Sequence, residues 1–160
     1  MGIVNLDQNI HYVPLFNYAA KTTTSYTAGI NMKLYEKVQF YIKLEATTVA
    51  DQTVTVTQRA AVTAAAGTAI ATHGYRVSAT AGTDTMGATT AFTTSGLAIT
   101  YSTYDNLTVI IDVDSSDMVT EALPYVGLDF TRGGSASAYM TIWALCWPKY
   151  PKETNASALT

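Results

Sequence analysis

The chain of 160 residues has room for one domain with a substantial core but not for two independent ones. Charged residues make up 13 %, the net charge is −3 and no basic cluster occurs, which argues against sequence-independent nucleic-acid binding, a mode that needs several Lys or Arg on one face. The single cysteine excludes a disulfide within the monomer, and no window reaches the roughly 18 apolar residues of a membrane-spanning helix.

Residues 10–16, Ile-His-Tyr-Val-Pro-Leu-Phe, read as an extended arm or an edge strand, because Pro14 has no N–H to give a central ladder. The Thr/Ser-rich stretch 21–29 ends at Gly29, and a short strand over 30–33 follows. Residues 37–46 alternate: Val38, Phe40, Ile42 and Leu44 point inward, Gln39, Tyr41, Lys43 and Glu45 outward. After a turn at 47–52, residues 53–59 (Thr-Val-Thr-Val-Thr-Gln-Arg) return, and the two segments are expected to pair as a hairpin. The Ala-rich segment 60–72 fits a short helix or a loop, since Thr63, Gly67 and Thr68 weaken any helix there.

A strand over 75–79 and a long hairpin tip or surface loop over 80–96 come next. Residues 97–101 alternate and lead into the turn Tyr104-Asp105-Asn106. Residues 107–113 form a near-continuous apolar strand that stops at Asp112-Val113-Asp114-Ser115-Ser116-Asp117, where Ser115 or Ser116 is placed to cap one helical turn ahead of Pro124. Val126, Leu128 and Phe130 mark another alternating strand, broken at Arg132-Gly133-Gly134.

The strongest strand is 138–147, Ala-Tyr-Met-Thr-Ile-Trp-Ala-Leu-Cys-Trp, ended by Pro148. Ala138, Met140, Ile142, Ala144 and Cys146 share one side; Tyr139, Thr141, Trp143, Leu145 and Trp147 share the other. Neither side is polar, so this strand is expected to be covered on both faces, the outer one by another layer or another subunit. With about eight strands and at most short helical turns, the chain is predicted to be all-β, an antiparallel β-sandwich of jelly-roll type. The expected organisation is an extended N-terminal arm at 1–20, a single sandwich domain at 21–148 and a C-terminal tail at 149–160.

No catalytic constellation is in view, so the chain is read as non-enzymatic and without a cofactor. His11 and His73 are distant in sequence, and Cys146 lies in mid-strand, where its thiol would be packed as a small apolar group. Asp112, Asp114 and Asp117 form the one carboxylate cluster, but a calcium loop would need glycine and glutamate where this chain has Asp117 and Leu123. A solvated, capped turn accounts for the same residues. Asn106-Leu-Thr and Asn155-Ala-Ser match the glycosylation pattern, yet residues 1–7 carry no basic region ahead of a long apolar run, and synthesis in a cytoplasm is expected. Eleven tyrosines, with Tyr35, Tyr41, Tyr75, Tyr101 and Tyr139 on predicted strands, point to inter-sheet packing or to interface and sugar-binding surface. A surface of Thr, Ser, Asn and Tyr carries little charge to repel other copies, which favours an oligomer or a lattice protein.

Several segments form a further pattern: the opening Ile10-His11-Tyr12-Val13-Pro14-Leu15 with Phe16-Asn17-Tyr18, and the run Tyr26-Thr27-Ala28-Gly29-Ile30-Asn31-Met32-Lys33 leading to Val38-Gln39-Phe40. Asp51-Gln52-Thr53-Val54-Thr55-Val56, the strand at 107–114, and residues 142–147 with Pro148-Lys149-Tyr150-Pro151 complete it. Together they resemble a family of small virion proteins from tailed bacteriophages over most of the chain; segments 60–72 and 80–96 have no counterpart. The resemblance implies a capsid decoration (cement) protein, made in the host cytoplasm and carried on the capsid surface. It would bind the major capsid protein as a homo-oligomer, a trimer by preference, with no nucleic-acid or membrane partner. Within that expectation the interface residues are Ile10, Tyr12, Val13, Leu15 and Phe16 of the arm, with Trp143, Trp147 and Tyr150 as aromatic anchors. The alternatives are a tail, neck or head-fibre component and, in another class, a carbohydrate-binding β-sandwich module.

Overall fold

The computed structural model describes residues 9–21, 25–45, 51–64, 67–133, 138–150 and 158–159. The strands in chain order begin with β1 (His11–Lys21), β2 (Ser25–Tyr26), β3 (Ile30–Asn31), β4 (Tyr35–Leu44), β5 (Gln52–Arg59) and β6 (Thr68–Ala69). They continue with β7 (Thr72–Val77), β8 (Thr90–Phe92), β9 (Leu97–Ile99), β10 (Thr108–Asp114), β11 (Tyr125–Arg132) and β12 (Ala138–Pro148). Among the described residues from His11 onward, helical structure is confined to one turn at Tyr101–Tyr104 and a 3-10 turn at Ser115–Asp117.

Two antiparallel sheets pack face to face, as an all-β sandwich. The first has the spatial order β1-β12-β4-β10-β7-β8. In the second, β11 and β5 are central; β2 and β3 share the outer side of β11, and β6 and β9 share that of β5. The described residues hold twelve strands where the sequence pattern suggests about eight; β2 with β3 and β6 with β9 are short strands sharing one lane each, which leaves ten lanes.

Alternation builds the core. Val38, Phe40, Ile42 and Leu44 of β4, Val109, Ile111 and Val113 of β10, and Met140, Ile142, Ala144 and Cys146 of β12 face Val54 and Val56 of β5 and Val126, Leu128 and Phe130 of β11. These are the inward residues that the two-residue period marks.

Four local expectations are corrected. The segments at 37–46 and 53–59 do not pair: β4 lies in the first sheet beside β10 and β12, and β5 lies in the second beside β11. Each presents its apolar half to the same core from opposite sides, a solution that local alternation cannot distinguish from a hairpin. The segment 60–72 holds a turn at 61–64 and then β6, with Gly67 so close to β5 that a Cβ there would stand 2.5 Å from the Gln58 carbonyl oxygen. Residues 65–66 lie outside the described residues. The turn after β10 is entered through Asp114, whose N–H donates to the Asp117 carboxylate at 2.9 Å, so an aspartate pair takes the capping role expected of Ser115 or Ser116. Finally, of the two covers expected for the outer face of β12, another layer of this chain is absent among the described residues: Tyr139, Thr141, Trp143, Leu145 and Trp147 are half-buried.

The N-terminal segment runs as β1 along the edge of the first sheet, with register shifts after Pro14 and after Phe16. At the other end, Ala158 is buried in the core and its carbonyl accepts from the Asn31 N–H at 3.1 Å.

Candidate interaction surface

The register of the first sheet fixes which outward side chains are neighbours. One row across the sheet reads Pro14, Trp143, Tyr41, Ile110, Arg76; the next reads Tyr12, Leu145, Gln39, Asp112. A third brings Trp147 beside Lys37 and Asp114. The β1 and β12 side of this face is aromatic and aliphatic, and the β4, β10 and β7 side carries the charges.

The aromatic rings are already engaged. Tyr41 and Trp143 lie with centroids 5.4 Å apart and planes 10° from parallel, so one face of each ring is stacked on the other. The Lys37 ammonium lies 6.0 Å from the centre of the Trp147 ring. Asp112 anchors the charged half: although on the outer face it is only 4 % exposed. Its Oδ1 accepts from Gln39 Nε2 at 2.5 Å and meets Lys37 Nζ at 3.2 Å, while its Oδ2 accepts from Arg76 at 3.2 Å. Tyr41 donates its hydroxyl proton to Gln39 Oε1 at 3.2 Å, which ties the aromatic half to the ionic half.

The expected interface residues divide into two groups. Tyr12, 57 % exposed, shares the outer face with Trp143 and Trp147, and Tyr150 stands 76 % exposed just past β12. Val13 belongs to the core, Leu15 and Phe16 pack against it, and Ile10 is half-buried ahead of β1. Sequence reasoning missed Leu145, Pro14 and the Asp112 network as neighbours of these residues. Alternation places each on a face, but only the register brings them together.

A cleft of about 460 Å³ opens at one end of the sandwich. Met32, Met118 and Pro124 supply its apolar lining, Ser115 and Thr120 its hydroxyls, and Lys33, Lys149 and Glu121 its charges. One wall is held by Gln58, a buried amide that uses both ends. Its Oε1 accepts from the Val119 N–H at 2.8 Å and the Thr120 N–H at 3.3 Å; its Nε2 donates to the Thr120 and Leu123 carbonyls, both at 3.1 Å. The opposite side is fixed by Met32 N–H to the Pro124 carbonyl at 2.9 Å and Lys149 N–H to the Leu34 carbonyl at 3.0 Å.

The groups with chemical potential are otherwise occupied. Burial pushes the Cys146 thiol up to about 12, far from thiolate character at neutral pH. His11, its neighbour across the β1–β12 ladder, has Nδ1 engaged by the Tyr35 hydroxyl at 2.6 Å. His73 is exposed, with Nδ1 3.8 Å from Asp114 Oδ2. Asp117 Oδ2 accepts from the backbone N–H groups of His73 and Asp114, so Asp112, Asp114 and Asp117 serve an ion-pair network and a turn. Among the described residues no group of three or more His, Cys, Asp or Glu stands in position to hold a metal ion, and no helix is long and apolar enough to cross a membrane.

No family model matches this chain, and no curated protein matches it.

Proposed function

We propose that this chain is a structural protein that acts by surface contact, decorating the outside of a phage capsid and clamping neighbouring copies of the major capsid protein. The observation that carries the reading is the outer face of the first sheet. Its buried carboxylate, Asp112, is paired with two cations, Lys37 and Arg76, and Tyr12, Pro14, Trp143 and Leu145 form an apolar strip beside them. Such a strip gains by being covered. The strand order supports the same reading. With β2/β3 and β6/β9 each counted as one lane, the ladders β1–β12, β2/β3–β11, β4–β10 and β5–β6/β9 are the four nested pairs of a jelly roll, and β7 and β8 extend one sheet. Viral shells and lectins both use that roll.

Protein contact is favoured over glycan binding because a sugar needs an open aromatic face. Tyr41 and Trp143 each give one face to the other, and the Lys37 ammonium takes a face of Trp147. Contact through the long edge strand is disfavoured by Pro14 and by its two register shifts, which blunt strand addition. The face of the sheet, presented by three copies around a lattice point, is the contact.

Quantitative mass spectrometry of purified particles against the major shell protein tests this. Near-stoichiometric abundance is expected. A few copies per particle would assign the chain to tail, neck or head fibre, and absence would remove it from the virion.

A further inference from the structure

The cleft at the end of the sandwich has features that the outer sheet face lacks, and we propose that it seats an acidic segment of a polypeptide partner, two carboxylates beside an apolar side chain. The identity of that partner as a capsid subunit rests on the function proposed above; the chemistry of the cleft does not.

Charge comes first. Among the described residues of the lining, Lys33 and Lys149 come from two separate turns and Glu121 is the one acid, so two cations against one anion leave a net +1, in a chain whose total is −3. Among the described residues neither lysine ammonium has an ion-pair partner within 4.0 Å, whereas Lys37, Arg59 and Arg76 each do. Long cationic side chains at an open rim, with no ion pair to a described carboxylate, are complementary to an acidic ligand.

Shape and lining then favour a peptide over a small anion. A free anion is usually held in an enclosed cradle of buried donors, and both lysines here are exposed. The volume of about 460 Å³ falls in the range that accommodates a few side chains. Met32 and Met118 give a polarisable floor that can repack around an aliphatic group. The Gln58 clamp holds the wall at 119–123 in place before any ligand arrives, so little ordering is needed on binding.

The test is a titration of full-length protein carrying ¹³C-methyl methionine with the capped tetrapeptide Leu-Glu-Glu-Leu, compared with Leu-Gln-Gln-Leu and Leu-Lys-Lys-Leu. The acidic peptide should shift the Met32 and Met118 methyl signals saturably while those of the core residue Met140 and the distant Met86 stay in place. Affinity should fall about fivefold in the Lys33→Gln/Lys149→Gln double variant, as two exposed ion pairs are lost. It should rise about twofold in Glu121→Gln. Equal shifts with the neutral peptide, no shift at either methyl, or weaker binding after Glu121→Gln would each overturn the proposal. These outcomes are independent of particle copy number: a cleft that ignores the acidic peptide leaves the decoration reading standing, and a chain absent from particles leaves the cleft result standing.

Discussion

Each sheet buries one charge on its outward side, and the two are handled differently. On the second sheet Arg59, 1 % exposed, lies across Gly127, donates to the Thr27 carbonyl at 2.5 Å and the Leu128 carbonyl at 3.1 Å, pairs with Asp129, and has the Tyr26 ring 5.4 Å away. Two of its acceptors are backbone carbonyls, and a third is the Thr57 hydroxyl at 3.1 Å, all held within the sheet. On the first sheet Asp112 is covered by Lys37, Gln39 and Arg76, long side chains of which the two cations are about a third exposed. The first arrangement is a staple; the second can re-pair with an incoming surface. A face built from movable cover suits a contact that must form after folding.

Breaking the staple should give the largest effect. Arg59→Met takes the guanidinium from Asp129 and from the Thr27 carbonyl, while the Leu128 carbonyl keeps the Thr27 N–H at 2.9 Å, and a loss of about 3–5 kcal/mol is expected in urea unfolding. Gly127 belongs to the same device, because a Cβ there would meet Arg59 Nη1 at 2.8 Å. The next effect is alkaline. Burial raises the Cys146 thiol from 9.0 to about 12 and the Tyr35 hydroxyl from 10.0 to about 12. The folded chain keeps both protons that the unfolded chain gives up. Stability is therefore whole below pH 9 and lost as pH climbs toward 12, at about 1.4 kcal/mol per pH unit for each group that has begun to differ. Cys146→Val should move the onset from near pH 9 to near pH 10 in a series of unfolding curves; an unchanged onset would show that the thiol is not the group responsible. Tyr12→Ala with Trp143→Ala removes one exposed and one half-buried ring and the stack on Tyr41, a loss of about 2–3 kcal/mol that leaves the fold, yet this pair should lose particle attachment. Asp112→Asn should cost only about 1 kcal/mol, since Lys37 and Arg76 can turn to water.

Much of the core was legible in the sequence. The alternation in β4 and β11 named Val38, Phe40, Ile42, Leu44, Val126, Leu128 and Phe130, all buried, and Cys146 is packed as an apolar group. Pairing was not legible. β4 finds its partners β10 and β12 through ladders far apart in sequence, and nothing in 37–59 distinguishes a hairpin from two strands in opposite layers. The surface was half legible. Residues 138–147 announced an apolar outer row, but its exposure depends on Tyr41 and Lys37, which arrive from another strand. The Asp112 network joins β4, β7 and β10, and the Gln58 clamp reaches across more than sixty positions, so neither leaves a local pattern.

The most direct test compares two faces of one molecule on purified particles. Occupancy is measured by quantitative mass spectrometry for the unaltered chain, for Tyr12→Ala/Trp143→Ala on the first sheet, and for Thr53→Ala/Thr55→Ala on the outward face of the second. Near-stoichiometric occupancy lost only in the first pair is the expected result. Full occupancy with Tyr12 and Trp143 removed would contradict the account.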